Sequence, residues 1–459
     1  MNSDQLFHLI IYLGYLGAFL LLGQFLRIKI RLFQNLFLPA SIIGGFIALG
    51  LGPYALGCIP KDVANTWSML PETLISVVFA CIFIGNKLPE LNSIWVRAGA
   101  GVTFAYVQAS AQWILGLGLA ALVIAPIWGL HPGVGSIIEV GWFGGSGTAA
   151  GMTPVYNDFG YPEIAALGIA SATIGLVYSI VMGIVLINYA VRKGYTKVLK
   201  TASSFHEVGS SGILRGDTAK PFGKLKFEGF AADHLAIQLS IVLIAVVLGW
   251  LMRTGLAAFL PIVNSIPVFP FAMVAGLLMQ IIFVWLKIDD LLDKETINRI
   301  SGTALDFLII SSVATVSLNV VITYFLPLMI LMFAAASFSV WVTFWLGPKM
   351  YPEDWFECAM GDFGVMCGTV ASGLLLTRIV DPDNRTVALE VFAYKRPFIL
   401  PLVGGLSVST VMAFRYGPWP VIFVWIGSLV FSLVISKACG WFVYSRPKGQ
   451  VPVLNTTRE

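Results

Sequence analysis

The chain has 459 residues, of which 58% are hydrophobic and only 11% charged, against roughly a quarter charged in a soluble domain. A water-soluble fold is excluded, and a single soluble core would in any case stop growing at about 250–300 residues. The net charge of +4 gives no support to a nucleic-acid partner, because membrane proteins carry excess Lys and Arg on cytoplasmic loops.

The N-terminal residues Met1-Asn2-Ser3-Asp4-Gln5 form no basic region, and no small-residue cleavage site clearly follows the first apolar run. That run is therefore expected to be a retained helix. Apolar segments long enough to cross roughly 30 Å of hydrocarbon predict spans at Leu9–Phe25, Pro39–Leu56, Leu70–Ile84, Val102–Trp128 and Ile164–Ala190 in the first part of the chain. Further on they predict spans at Leu235–Phe259, Val268–Leu286, Ala304–Val321, Leu326–Leu346, Val387–Phe414 and Val421–Tyr444. The expected fold is thus an all-α integral membrane protein with about eleven transmembrane helices. The cysteines Cys58, Cys81, Cys358, Cys367 and Cys439 show no CxxC spacing, so neither a disulfide framework nor a zinc site is indicated.

Two apolar stretches, Gly133–Asp158 and Trp355–Val380, are broken by glycine and read as re-entrant hairpins. Irregular backbone survives at membrane depth only where protein or a watery cavity satisfies it, so such segments mark a pathway or binding site. Basic residues set the orientation: Arg27, Lys29 and Arg31 follow the first helix, and Arg192, Lys193, Lys197, Lys200, Arg215, Lys220, Lys224 and Lys226 crowd the central loop. With both loops cytoplasmic, the N-terminus lies outside and the C-terminus, with Arg446, Lys448 and Arg458, inside. The first hairpin then enters from outside and the second from inside. The expected location is the inner (plasma) membrane.

The two parts repeat. Leu38–Phe46 corresponds to Phe269–Leu277, with Pro39 and Gly45 in register with Pro270 and Gly276. Gly141–Thr148 corresponds to Gly361–Thr369, one residue longer. Five helices and a hairpin in each copy invert the second copy in the membrane, the plan of secondary transporters. The expected organisation is a first repeat over 1–191 (hairpin 133–158), a cytoplasmic linker over 192–233, a second repeat over 234–415 (hairpin 355–380), and an extra C-terminal helix with tail over 416–459.

The cluster Gly144-Gly145-Ser146-Gly147-Thr148 offers backbone amides and carbonyls plus two hydroxyls to a ligand, or else simply lets helices pack closely. Its counterpart brings Asp362, Gly364, Gly368 and Thr369 to the equivalent place. Charges inside apolar spans are costly and usually functional. Lys395 and Arg396 lie about nine residues into the tenth helix, and they either form an internal ion pair with Glu390 or Asp362 or receive a substrate carboxylate. Glu139 is placed at the hairpin mouth in water, and Asp306 either caps a helix or faces a crevice. Hard oxygen ligands with no buried proton relay favour sodium coupling, with Thr148 and Thr369 the best-placed side chains.

From Leu38 to Gly405 the chain resembles the sodium/glutamate symporter family, through the Pro39–Gly45 helix start, the Gly144-Gly145-x-Gly147-Thr148 hairpin and the Gly361-x-x-Gly364-x-x-x-Gly368 hairpin. The resemblance implies two five-helix repeats with oppositely entering hairpins, sodium as the driving ion, L-glutamate or a related small anion as substrate, and a homodimer in lipid. The chain departs from the family pattern at Ser146 and Asp362, where histidine is expected, and in its Lys395-Arg396 pair and eleventh helix. The substrate-binding set is then Gly144, Gly145, Ser146, Gly147, Asp362, Gly364, Gly368, Lys395 and Arg396, with Thr148 and Thr369 as sodium ligands. The competing readings are an ion channel and a proton-coupled carrier of a different organic anion. An enzyme is not expected, because His8, His131, His206 and His234 lie in no HExxH or GxSxG context.

Overall fold

The computed structural model describes residues 3–35, 38–53, 55–86, 91–198, 233–351, 353–381 and 385–442. Residues 199–232 of the expected linker, and the basic tail with Arg446, Lys448 and Arg458, lie outside the described residues. No strand occurs among those described.

In chain order, α1 (Ser3–Lys29) and α2 (Arg31–Asn35) precede α3 (Ala40–Leu51) and α4 (Lys61–Ala80). Pro39 and Pro60 sit directly ahead of the last two, extended at φ near −60°. A residue without an N–H fits there because the first helical amides have no partner anyway. Then come α5 (Leu91–Leu119), α6 (Ala125–Trp128), α7 (Gly145–Gly151), α8 (Thr153–Asp158) and α9 (Pro162–Lys193). Between α6 and α7 the backbone is irregular, with a 3₁₀ turn at Pro132–Ser136 and a π-helical turn at Ile138–Phe143. The later part holds α10 (His234–Phe259), α11 (Phe269–Trp285), α12 (Lys294–Ala314), α13 (Leu318–Thr323), α14 (Phe325–Trp345) and α15 (Gly347–Met350). It ends with α16 (Trp355–Cys367), α17 (Val370–Val380), α18 (Ala388–Tyr416) and α19 (Pro418–Ala438). Asp233 caps α10 by accepting from the Leu235 and Ala236 amides at 2.9 and 3.3 Å, and Asp293 caps α12 through the Thr296 amide at 3.2 Å.

Among the described residues six helical stretches are long and apolar enough to cross a membrane: Phe7–Lys29, Gly99–Trp128, Pro162–Lys193, His234–Phe259, Phe325–Met350 and Pro418–Ala438. Ala40–Leu51 and Phe269–Trp285 are apolar but shorter. The helices over the expected third and eighth spans start earlier than hydropathy predicts, at Lys61 and Lys294. Their first turns carry charges that a hydropathy window rejects but a helix start accepts: Asp62 and Glu295 sit where the helix dipole favours an acid.

The chain folds into two compact units interleaved along the sequence. One comprises Met1–Leu88, Ser146–Ala170 and Gly209–Tyr324, the other Pro89–Gly145, Ser171–Val208 and Phe325–Glu459. In the first unit α1 packs on α3 and α3 on α12, while α10 packs on α11 and α11 on α4. Gly45 of α3 lies against α12, where an added methyl would sit 2.7 Å from Val313 Cβ. Gly276 of α11 lies against α4, where it would sit 2.4 Å from the Ala80 carbonyl oxygen. The two Pro-x5-Gly helices therefore make equivalent contacts with the early and late parts of the chain exchanged. Ala80, Cys81, Ile84, Val242, Ala272 and Ile297 form one apolar core of this unit, and Leu16, Ala48, Val63, Trp67 and Ile310 another. In the second unit α5 packs on α18 and α19, α14 on α16, and α16 on α17.

Candidate functional site

The second unit concentrates the unusual chemistry. α16 and α17 are two short helices folded back on each other at Gly368-Thr369, and the fold is tight: a methyl on Gly364 would come within 2.6 Å of Gly373 Cα. Thr369 closes the turn with a capping box, its Oγ1 accepting from the Ser372 amide at 3.3 Å while Ser372 Oγ accepts from the Thr369 amide at 2.8 Å. Gly145, at φ +72°, meets this turn, its Cα side facing the Gly368 carbonyl and the Thr369 methyl across 3.3 Å from where a Cβ would stand. Glycine is favoured there, because any side chain is strained on a left-handed backbone and would crowd both neighbours.

The same unit holds a buried charge cluster. Lys395 of α18 forms an ion pair with Asp362 of α16, and Tyr351 donates its hydroxyl to the other carboxylate oxygen of Asp362. Lys395 Nζ lies 3.4 Å from the Tyr351 oxygen and 5.6 Å from the centroid of the Phe392 ring. Lys395 and Asp362 are 2% and 3% exposed, so neither can snorkel to water. Their side chains border a cavity of about 10 Å³, room for about one water, shared with Gln108, Phe143 and Val365. A cavity of that size excludes an amino acid, so this conformation is closed around its ion pair.

The other expected residues fall in different places. Gly144 belongs to the second unit with Gly145. Ser146, Gly147 and Thr148 belong to the first, where Ser146 and Thr148 are buried and Gly147 lies near Leu305 and Ile75. Arg396 is on α18, its side chain outside the described residues. Asp306, left open by the sequence, accepts from the Ser41 hydroxyl at 2.9 Å in the first unit. The expectation of a water-exposed Glu139 is corrected: the residue is wholly buried in the π-helical turn. A charge count cannot foresee this, because the turn is enclosed by elements far away in sequence. Sequence reading also passed over Tyr351, Gln108 and Gln112. The last two are legible in retrospect as amides one helical turn apart inside an apolar span.

Among the described residues no cluster of three or more His, Cys, Asp or Glu could hold a metal ion. Comparison with known families now bears on the geometry: the profile described as sodium/glutamate symporter matches residues 9–360. The chain belongs to the sodium/glutamate symporter family. A sodium/glutamate symporter of Haemophilus influenzae is 28% identical over 167 residues, a stretch covering 36% of this chain and 40% of the relative. The symporter family comprises transporters rather than enzymes, and with the apolar helices it marks a multi-pass membrane protein. The family match ends just ahead of Asp362 and Lys395, so those residues rest on their own geometry.

Proposed function

We propose that this chain is a secondary transporter that moves L-glutamate or a related small anion together with sodium by alternating access. The observation that carries the reading is the buried Lys395–Asp362 pair, with Asp362 on the helix that leads into the turn where Gly145 meets Gly368-Thr369. A lysine held this deep needs an anion at all times. In the closed state Asp362 supplies it, and in the loaded state a substrate carboxylate takes over, exchanging one carboxylate for another at little electrostatic cost. Family membership and the relative's name support sodium and glutamate as the solutes.

In this reading Gly144, Gly145, Ser146, Gly147, Gly364 and Gly368 offer main-chain groups to the substrate, Arg396 adds a second cation, and Thr148 and Thr369 contribute hydroxyl oxygens to sodium. The exchanged contacts of Gly45 and Gly276 support two inverted repeats, each with a re-entrant hairpin. A homodimer with its N-terminus outside completes the proposal.

Uptake of radiolabelled L-glutamate by proteoliposomes tests it. Accumulation is expected with an inward sodium gradient and not with choline in its place. Equal uptake in choline under an imposed pH gradient would assign the coupling to protons, and counterflow absent for every small anion tried would point to a channel.

A further inference from the structure

Glu139 is 0% exposed, and neither of its carboxylate oxygens has a hydrogen-bond partner among the described residues. The amides Gln108 Nε2 and Gln112 Oε1 on α5 are also buried and unpartnered, while Gln112 Nε2 reaches the Met366 carbonyl at 3.5 Å. Two anchors fix how α5 and the Pro132–Phe143 stretch lie against each other. A methyl on Gly116 would meet the Gly135 carbonyl oxygen at 2.4 Å, and Gln108 borders the same cavity as Phe143. The two segments therefore run antiparallel, and by spacing Gln112, midway between Gly116 and Gln108, stands at the same level as Glu139, midway between Gly135 and Phe143.

Among the described side chains no cation is bonded to Glu139. α14 carries no ionisable side chain, and on α16 Asp362 holds Lys395 while Glu357 accepts from the Lys197 amide. Cys367 on α16 is a buried thiol, not a cation. On α5, Tyr106 donates to the Phe398 carbonyl, and His131, ahead of the 3₁₀ turn, accepts from the Gly133 amide. The stretch of α18 between Lys395, at the cavity, and Phe414, which touches Gly133, carries one ionisable residue, Arg396, whose side chain lies outside the described residues. An ionised carboxylate stripped of water without a counter-charge is so unfavourable that the group takes up a proton instead. A carboxylic acid has an O–H to donate, and Gln112 Oε1 is an acceptor without a donor.

We propose that Glu139 is a proton-binding site of this protein, a neutral acid in the closed state whose O–H is donated to the Gln112 side-chain carbonyl. The proton comes from water, and returns to water whenever the neighbouring Asp362–Lys395 cavity opens. The inference is independent of which solute is carried.

Infrared difference spectroscopy of the full chain in lipid tests it without any transport assay. At neutral pH the wild type is expected to show the C=O stretch of a protonated carboxyl that is missing from Glu139→Gln. Gln112→Leu should move that band to the higher frequency of an unbonded acid, and Glu139→Asp should keep a band if the larger change is tolerated. Gel filtration checks that each variant is folded. A wild-type spectrum with no band lost in Glu139→Gln overturns the proposal. So does a band that disappears when sodium is added at constant pH, which would make the carboxylate a metal-cation ligand.

Discussion

Lys395 carries stability through its ion pair and, in the proposed reading, function as well. Its partner Asp362 is equally buried, and removing one member of such a pair strands the other charge, at a cost of about 3–5 kcal/mol. Asp362→Asn and Lys395→Met are each expected to lower the melting temperature in detergent. The double variant should recover most of that loss, because it leaves no stranded charge. Transport separates the two roles: if Lys395 receives the substrate carboxylate, the double variant is folded but fails to take up glutamate. Recovery of uptake along with stability would remove Lys395 from the substrate site and leave main-chain amides to bind the anion. Tyr351 shares in the cluster through its hydroxyl, and Tyr351→Phe should leave one Asp362 oxygen without its donor at about 1–3 kcal/mol.

At the scale of helices, small residues decide how closely axes approach. Gly45 and Gly276 occupy matching places in two similar segments and touch α12 and α4 at distances that a methyl cannot share. Gly45→Ala and Gly276→Ala each force the contact to open, an overpacking cost of about 1–3 kcal/mol. Gly14→Ala on α1, where nothing lies within 4 Å of the new methyl, should leave the melting temperature unchanged or slightly raised. Thermal unfolding of the three purified variants checks this, and equal behaviour of all three would deny the glycines a role in packing. Gly145→Ala adds a different penalty, about 1–2 kcal/mol for a left-handed backbone with a side chain.

At the scale of the whole molecule, the proposed inverted repeats make a prediction about sidedness. In a background without native cysteines, Ser146→Cys should react with an impermeant maleimide added outside and Val365→Cys with one added inside. Labelling of both from one face would refute the oppositely entering hairpins, whatever the solute. The two compact units do not follow the expected sequence halves, since each collects three separate segments. A connection between them that recurs along the chain is compatible with the repeat, because each copy would donate helices to both units.

Some of this was written in the sequence alone. The low charge and recurrent apolar runs determine a membrane protein, because hydrocarbon accepts no other composition. The glycine-broken stretches at 133–158 and 355–380 are legible because glycine and proline act locally on the backbone. The cost of burying Lys395 is likewise legible as a demand for a partner, and the sequence narrowed that partner to Glu390 or Asp362 or a substrate. Only the tertiary structure chose Asp362, added Tyr351, and showed Glu139 enclosed rather than wet. The reason is physical: composition and periodicity report the solvent and the local backbone, whereas burial of one side chain depends on helices that arrive from elsewhere in the chain.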